Sequence, residues 1–397
     1  MSEASSNESD IPPYARLAAG LTGEDLHNAI TRSGYPFQAV IADRLRSALE
    51  QMSRSSAIQE EWPYIDDESG HARTVDIYAR IFLGPKGGAD ADYPALNLVV
   101  ECKQSELPYV FFLRESAPNG VQLLRVAGSK NGMIRLVDLT GEADEDPKPR
   151  VAFHMPIHDV FSAYDLPFFD TPAPWAISLS KAVRKPKVEL TGEEAYRSLT
   201  LPLLKAVKHL EAVSIGPDGK DKPFLITFCV VVARAPLIGV TIHEEQPHLV
   251  AMPWYRVTHV EPDQGGPRIF SNTARYYDVV HECFFDEYVT KLMESMDELA
   301  ERMKGHREEV ATGLGAFTMS SEEENEDEGI WKTLVPMSED ETNNLESKHQ
   351  FIISRQIGGL SIRPQSNEQR FGQIAVLGPL PDEFEMEGGD ESSREAI

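Results

Sequence analysis

RTVDIYARIF (73–82) and ALNLVVECKQ (95–104) decide the fold. The first alternates β-branched and aromatic residues with polar ones, and the second is an apolar run that ends in charge. Both patterns read as strands. GPKGGADADYP (84–94) between them is dense in turn residues, so the two form an antiparallel hairpin. The register that leaves every turn residue in the loop pairs Phe82 with Ala95, Tyr78 with Val99 and Ile77 with Val100, and sets Asp76 opposite Glu101. Glu101 and Lys103 are two apart and share a face, while Val100 and Cys102 point the other way, into the core. Opposed residues of an antiparallel pair lie about 5 Å apart on one side. One patch then gathers Asp76, Glu101 and Lys103; a slip of one residue would send Asp76 to the wrong face.

The flanks extend this unit. YPFQAVIADRLRSALEQM (35–52) carries apolar residues at three- and four-residue spacing, an amphipathic helix with Pro36 in its first turn. AIQEEWPYI (57–65) is a mixed strand. TGEEAYRSLTLPLLKAVKHLEA (191–212) reads as a helix kinked at Pro202, and FLITFCVVVAR (224–234) as a strand buried on both faces. LIGVTI (237–242) and WYRVTHV (254–260) read as strands, and 274–303 as one long helix with its stripe through Tyr276, Val280, Phe284 and Leu292. Residues 105–190 read as an irregular insertion. The expected class is α/β (α+β), a mixed sandwich.

Two carboxylates held this close repel, and a divalent cation with oxygen ligands answers that repulsion, most naturally Mg²⁺ (or Mn²⁺). Asp76, Glu101 and the main-chain carbonyl of Cys102 are the expected metal ligands. Lys103 then stands where it can orient a polarised water or stabilise charge on a phosphate. Asp76, Glu101 and Lys103 are the expected catalytic set. The order helix, then strands carrying D…ExK (Asp76, then Glu101-Cys102-Lys103), resembles the PD-(D/E)xK nuclease superfamily, the restriction-endonuclease-like fold. The resemblance covers roughly 35–104 and extends to 191–232. It implies an αβββαβ core, Mg²⁺-dependent cleavage of nucleic acid, metal binding by Asp76 and Glu101, and assistance by Lys103. The expected substrate is DNA rather than RNA.

Secondary candidates surround this set. Glu60 and Glu61 on the first strand are either further ligands or a solvated strand end, and Gln104, Gln38 and Asp43 are weaker. Lys181, Arg184, Lys185 and Lys187 form the best basic cluster for a phosphate backbone, or else a solvated linker. Trp62, Tyr64, Tyr109, Phe111 and Phe112 either stack on bases or pack a core. His154 and His158 are four apart, but Pro156 between them and the lack of a following glutamate point to a loop rather than a zinc pair.

The chain of 397 residues is 41% hydrophobic and 26% charged, ordinary for a globular protein. No stretch approaches the ~20 apolar residues of a membrane span, and the polar, acidic N-terminus resembles no targeting segment. The three cysteines (Cys102, Cys229, Cys283) lie far apart, which favours a reducing, cytoplasmic setting. Of the net charge of −26, residues 319–397 carry 18 Asp+Glu against 6 Lys+Arg, a net of −12, and residues 1–25 carry five acids against Arg16. The acidity is therefore concentrated in expected tails. The expected organisation is a flexible leader (1–25), a nuclease-like core (26–260), a C-terminal helical extension (261–318), an acidic linker (319–350), a short β extension (351–381) and an acidic tail (382–397). Two other classes stay open: an inactive nuclease fold that binds protein partners through its acidic tails, and an acidic protein that mimics DNA.

Overall fold

The structure is a computed structural model that describes residues 13–84, 92–115, 126–127, 132–139, 151–170, 174–213, 224–261, 273–317, 330–337 and 352–353. Helix α1 (Gly23–Arg32) opens on a reciprocal cap between Thr22 and Asp25, and α2 (Tyr35–Gln51) follows with Pro36 in its first turn. Strands β1 (Ser56–Ile65), β2 (Ala72–Phe82) and β3 (Ala95–Gln104) form an antiparallel meander. Then come β4 (Tyr109–Arg114), β5 (Val126–Ala127), β6 (Met133–Asp138), β7 (Val151–Pro156), and short helices α3 (Ile157–Val160) and α4 (Pro167–Asp170). A hairpin of β8 (Trp175–Arg184) and β9 (Val188–Thr191) leads into α5 (Gly192–Ala195) and α6 (Leu201–Val213). The rest comprises β10 (Leu225–Arg234), β11 (Leu237–His243), β12 (Gln246–Ala251), β13 (Trp254–Glu261), β14 (Thr273–His281), α7 (Phe285–Met303), α8 (Arg307–Thr312), β15 (Leu314–Phe317), β16 (Val335–Pro336) and β17 (Ile352–Ile353).

The main sheet runs β1-β2-β3-β10-β14-β13-β8-β4-β11-β12, and a smaller sheet runs β16-β15-β6-β7-β17. The class is mixed α/β. Strand β10 lies parallel to β3, with Cys229 beside Val99 and Val231 beside Glu101. It is buried from Leu225 to Ala233, as its unbroken apolar run requires. Phe37, Ile41 and Leu45 of α2 and Leu292, Met296 and Leu299 of α7 pack with Ile77, Leu98, Val100 and Val232 on one face. Leu199, Leu203, Ala206 and Val207, from α6 and the turn before it, pack with Tyr78, Val99, Cys229 and Val231 on the other.

The structure corrects several of these expectations. The stretch 274–303 is not one helix: Thr273–His281 is a strand and the helix begins at Phe285. The aromatic and β-branched run there suits a sheet centre, and Asp278 pairs in full burial with Arg256 of β13, Nε to Oδ1 2.9 Å. The expected helical extension thus contributes the strand between β10 and β13, so the sheet does not end at 260. The insertion 105–190 is not irregular, since it supplies β4, β8 and β9 to the main sheet and β6 and β7 to the smaller one. Around Pro202 the helix widens into a π turn at Tyr196–Thr200, which accommodates a ring that would otherwise meet the carbonyl four residues back. Of the expected β extension, Ile352–Ile353 pairs with β7; the remainder, the tail 382–397, most of the acidic linker and the first twelve residues lie outside the described residues.

Candidate active site

Strands β2 and β3 pair Ile77 with Val100, Tyr78 with Val99, and so on to Phe82 with Ala95. That is the register in which the turn residues fill the loop. Continued by one residue, it brings Asp76 to Glu101. The ladder stops there, and the Asp76 side chain takes over from the backbone: its Oδ2 accepts the Cys102 N–H at 2.6 Å. Behind it, buried Gln38 of α2 donates its amide to the Asp76 carbonyl at 2.9 Å. Gln38 therefore fixes the main chain of the aspartate, a role its helical position alone does not announce.

Lys103 Nζ stands 2.6 Å from Glu101 Oε2 and 4.0 Å from Asp76 Oδ2. One ammonium thus touches both carboxylates. Glu101 is only 3% exposed. Burial, with lesser help from the Asp76 and Glu61 charges, pushes its pKa up to about 7 against the opposing pull of Lys103. Burial acts to lower the Lys103 pKa, but the two carboxylates outweigh it and hold the ammonium above its ordinary value. The Cys102 thiol is pushed up by burial, so it is no thiolate ligand.

The sequence pattern missed a change of facing at this point. In β1, Ile58 packs on the α2 side, whereas Trp62 and Tyr64 pack on the α6 side. In β2, Val75 packs on the α6 side and Ile77 on the α2 side, two residues apart, where regular alternation would keep them together. The switch falls at Glu61 and Asp76, which the register sets opposite each other but which make no ladder pair. Glu61 takes the left-handed conformation, φ 49°. This local break in the pleat frees the Asp76 side chain to turn toward β3.

The other candidates separate clearly. Glu60 faces α2 and is bound by Arg46 at 2.6 Å, which also binds Asp43 at 2.7 Å, so neither acid reaches the site. Glu61 is exposed and close enough for its charge to act on Glu101. Gln104 ends β3, exposed, beside Arg234. Tyr64, Tyr109 and Phe111 are core residues, and Trp62 is half-buried, stacked on Tyr78 at 4.7 Å between centroids. Lys181, Arg184, Lys185 and Lys187 are not in a linker but on the β8–β9 hairpin. His154 lies on β7 and His158 in α3 rather than in a loop.

The donor set tests the fit of a metal. Among the described residues no three His, Cys, Asp or Glu side chains converge. Mg²⁺ nevertheless takes one or two carboxylates and retains waters. The N–H and C=O of a strand residue point to the same side. Because the Cys102 N–H points at Asp76, its carbonyl opens toward that carboxylate too, beyond the last β2–β3 pair. Two carboxylates and a carbonyl, all oxygen, fit a small hard cation. Comparison with protein-family models, curated proteins and solved structures finds no match. No helix among the described residues is long and apolar enough to cross a membrane.

Proposed function

We propose that the chain carries a restriction-endonuclease-like core and hydrolyses phosphodiester bonds of nucleic acid, DNA rather than RNA, in a cytoplasmic setting. The observation that carries this reading is one ammonium, Lys103, within 4.0 Å of two carboxylates at the end of β3. It is supported by the order α2-β1-β2-β3, then α6, then β10 parallel to β3. Asp76, Glu101 and the Cys102 carbonyl would hold Mg²⁺ or Mn²⁺. That ion, when bound, supplies positive charge at the phosphate and polarises water for attack.

The protein's own groups have separate tasks. Asp76 is held in place from both sides, by the Cys102 N–H on its carboxylate and by Gln38 on its carbonyl. Glu101 must lose its proton to bind a cation, and burial, which holds its pKa up to about 7, makes that binding stronger as pH rises toward neutral. Lys103 now neutralises the carboxylates. With a cation held by the carboxylates, Lys103 would be free to face a non-bridging phosphate oxygen, where charge develops.

The test is cleavage of DNA and RNA by the full chain with Mg²⁺ or Mn²⁺. Cleavage lost in Glu101→Ala and Lys103→Ala is expected; no divalent-dependent cleavage that Glu101→Ala abolishes counts against the reading. A second reading, an inactive nuclease fold with acidic tails for protein partners, draws on the Lys103–Glu101 pair, which already compensates the charge without a metal. Absence of any rise in melting temperature with divalent cations would favour it.

A further inference from the structure

The hairpin β8–β9 has no part in the site described above, yet its position and charge point to what it meets. Lys181 pairs with Thr191, Ala182 with Leu190, Val183 with Glu189 and Arg184 with Val188, and the tip closes with the Lys185 N–H on the Lys187 carbonyl at 3.1 Å. Residues 181–191 hold four Lys+Arg against one Glu, a net of +3 in a chain of net −26. From Arg184 to Leu190 every residue is exposed, including Val188 at 61% and Leu190 at 51%. Lys185 at the tip is only loosely engaged within the chain, its pair with Glu189 being 3.8 Å long and exposed on both sides.

Its base is tied to the candidate active site. Tyr109 of β4 lies five residues beyond Gln104, the last residue of β3, and pairs directly with Lys181. Opposed residues point to one side, and the Tyr109 ring belongs to the core face shared with Val99 and Val231. Glu101 and Lys103, two and four residues after Val99 on β3, face the same side. The Tyr109 hydroxyl feels the charges of both Lys103 and Lys181. The ribbon therefore rises next to the catalytic rim. A two-stranded ribbon is narrow enough to enter the major groove of a duplex, and lysines at its tip reach phosphates on the groove walls.

We propose that the β8–β9 hairpin is a duplex-DNA clamp, with Lys185 and Lys187 contacting the phosphate backbone of the strand pair presented to Glu101 and Lys103. This rests on the nuclease reading of that site and adds to it a substrate form, duplex rather than single strand, and the element that holds it. The experiment is fluorescence anisotropy of a short labelled duplex with the full chain in EDTA, over about 50–200 mM salt. Lys185→Ala/Lys187→Ala should weaken binding and lower the slope of log K against log salt by about 2, one for each phosphate no longer neutralised by a lysine. Lys185→Arg/Lys187→Arg should restore it. An unchanged slope in the alanine variant, no binding by the wild type, or equal binding of single strands overturns the proposal. Cleavage assays separate the two claims. Hairpin-dependent binding without metal-dependent cleavage sinks the nuclease reading alone, whereas Glu101-dependent cleavage by an alanine variant that binds like wild type sinks the clamp alone.

Discussion

Replacing Glu101 with glutamine should stabilise the chain at pH 8 and leave it nearly unchanged at pH 4. The carboxyl is 3% exposed and its pKa is raised to about 7, chiefly by burial. The unfolded chain releases this proton near pH 4.3, as model peptides do. Between those two values the folded state holds a proton that the unfolded state has lost, so stability falls as pH rises. The contribution is fully present below about pH 4.3 and gone above pH 7. At 1.36 kcal/mol per unit the window is worth about 4 kcal/mol. Glutamine has no proton to lose and escapes that decline. It also leaves Lys103 without its nearest partner, but that side chain is 26% exposed and reaches water. This loss subtracts no more than about 1 kcal/mol. The net gain at pH 8 is about 3 kcal/mol, or about 4 °C in Tm for a protein of this size. Thermal melts of both chains in EDTA at pH 4 and pH 8 measure it. A difference between the two chains that does not change with pH would refute the argument that burial, rather than Lys103, governs Glu101. Adding Mg²⁺ at pH 8 should then raise the wild type more than the variant, because only the wild type presents the second carboxylate.

Asp278→Asn should cost about 3–5 kcal/mol in urea melts, because it leaves the Arg256 guanidinium, 0% exposed, without its countercharge; a loss below 1 kcal/mol would show that the ring faces of Phe168 and Tyr276 suffice to hold it. Gly239→Ala should cost about 1–3 kcal/mol, since the new Cβ would stand 2.6 Å from Leu113 Cδ1 and 2.9 Å from Tyr255 Cε1, inside a core with no slack. Glu61→Gly should stabilise by about 1 kcal/mol, because glycine adopts φ 49° without the steric penalty of a side chain; an unchanged or lower stability would mean that the Glu61 backbone is not strained.

Much of the fold is legible in the sequence because the decisive hairpin is regular. From Ile77 to Phe82 one face is apolar in strict alternation, and the Gly-rich segment admits a single loop. Strand β10 is legible for another reason, burial on both faces. The strand Thr273–His281 is not, because Tyr276, Val280 and Phe284 satisfy a helical spacing that runs on into α7. What overrides that spacing is tertiary: the buried pairing of Asp278 with Arg256, two residues 22 apart whose partnership no local pattern carries. Strands β4 and β8 are hidden likewise, since each is stabilised by neighbours distant in the chain.

The site itself shows why its acids are easier to find than their arrangement. Alternation predicts that Val75 and Ile77 share a face, and they do not. Two strands that switch faces at the same level leave a gap in the ladder, and the gap is filled by one side chain, Asp76 on the Cys102 N–H. A regular pleat would have satisfied that N–H with backbone and pointed the aspartate straight out from the sheet. The left-handed Glu61 and the buried Gln38 amide on the Asp76 carbonyl hold the irregularity in place, one from each side. Local rules fail in the strands here at the residues that carry charge, which is where the proposed function would have them fail, because a group positioned to act on a ligand cannot also be spent on the ladder. A carboxyl group raised by burial to about 7 is a poor structural choice, and it suits the exchange of a proton for a cation near neutral pH that the proposed function asks of Glu101.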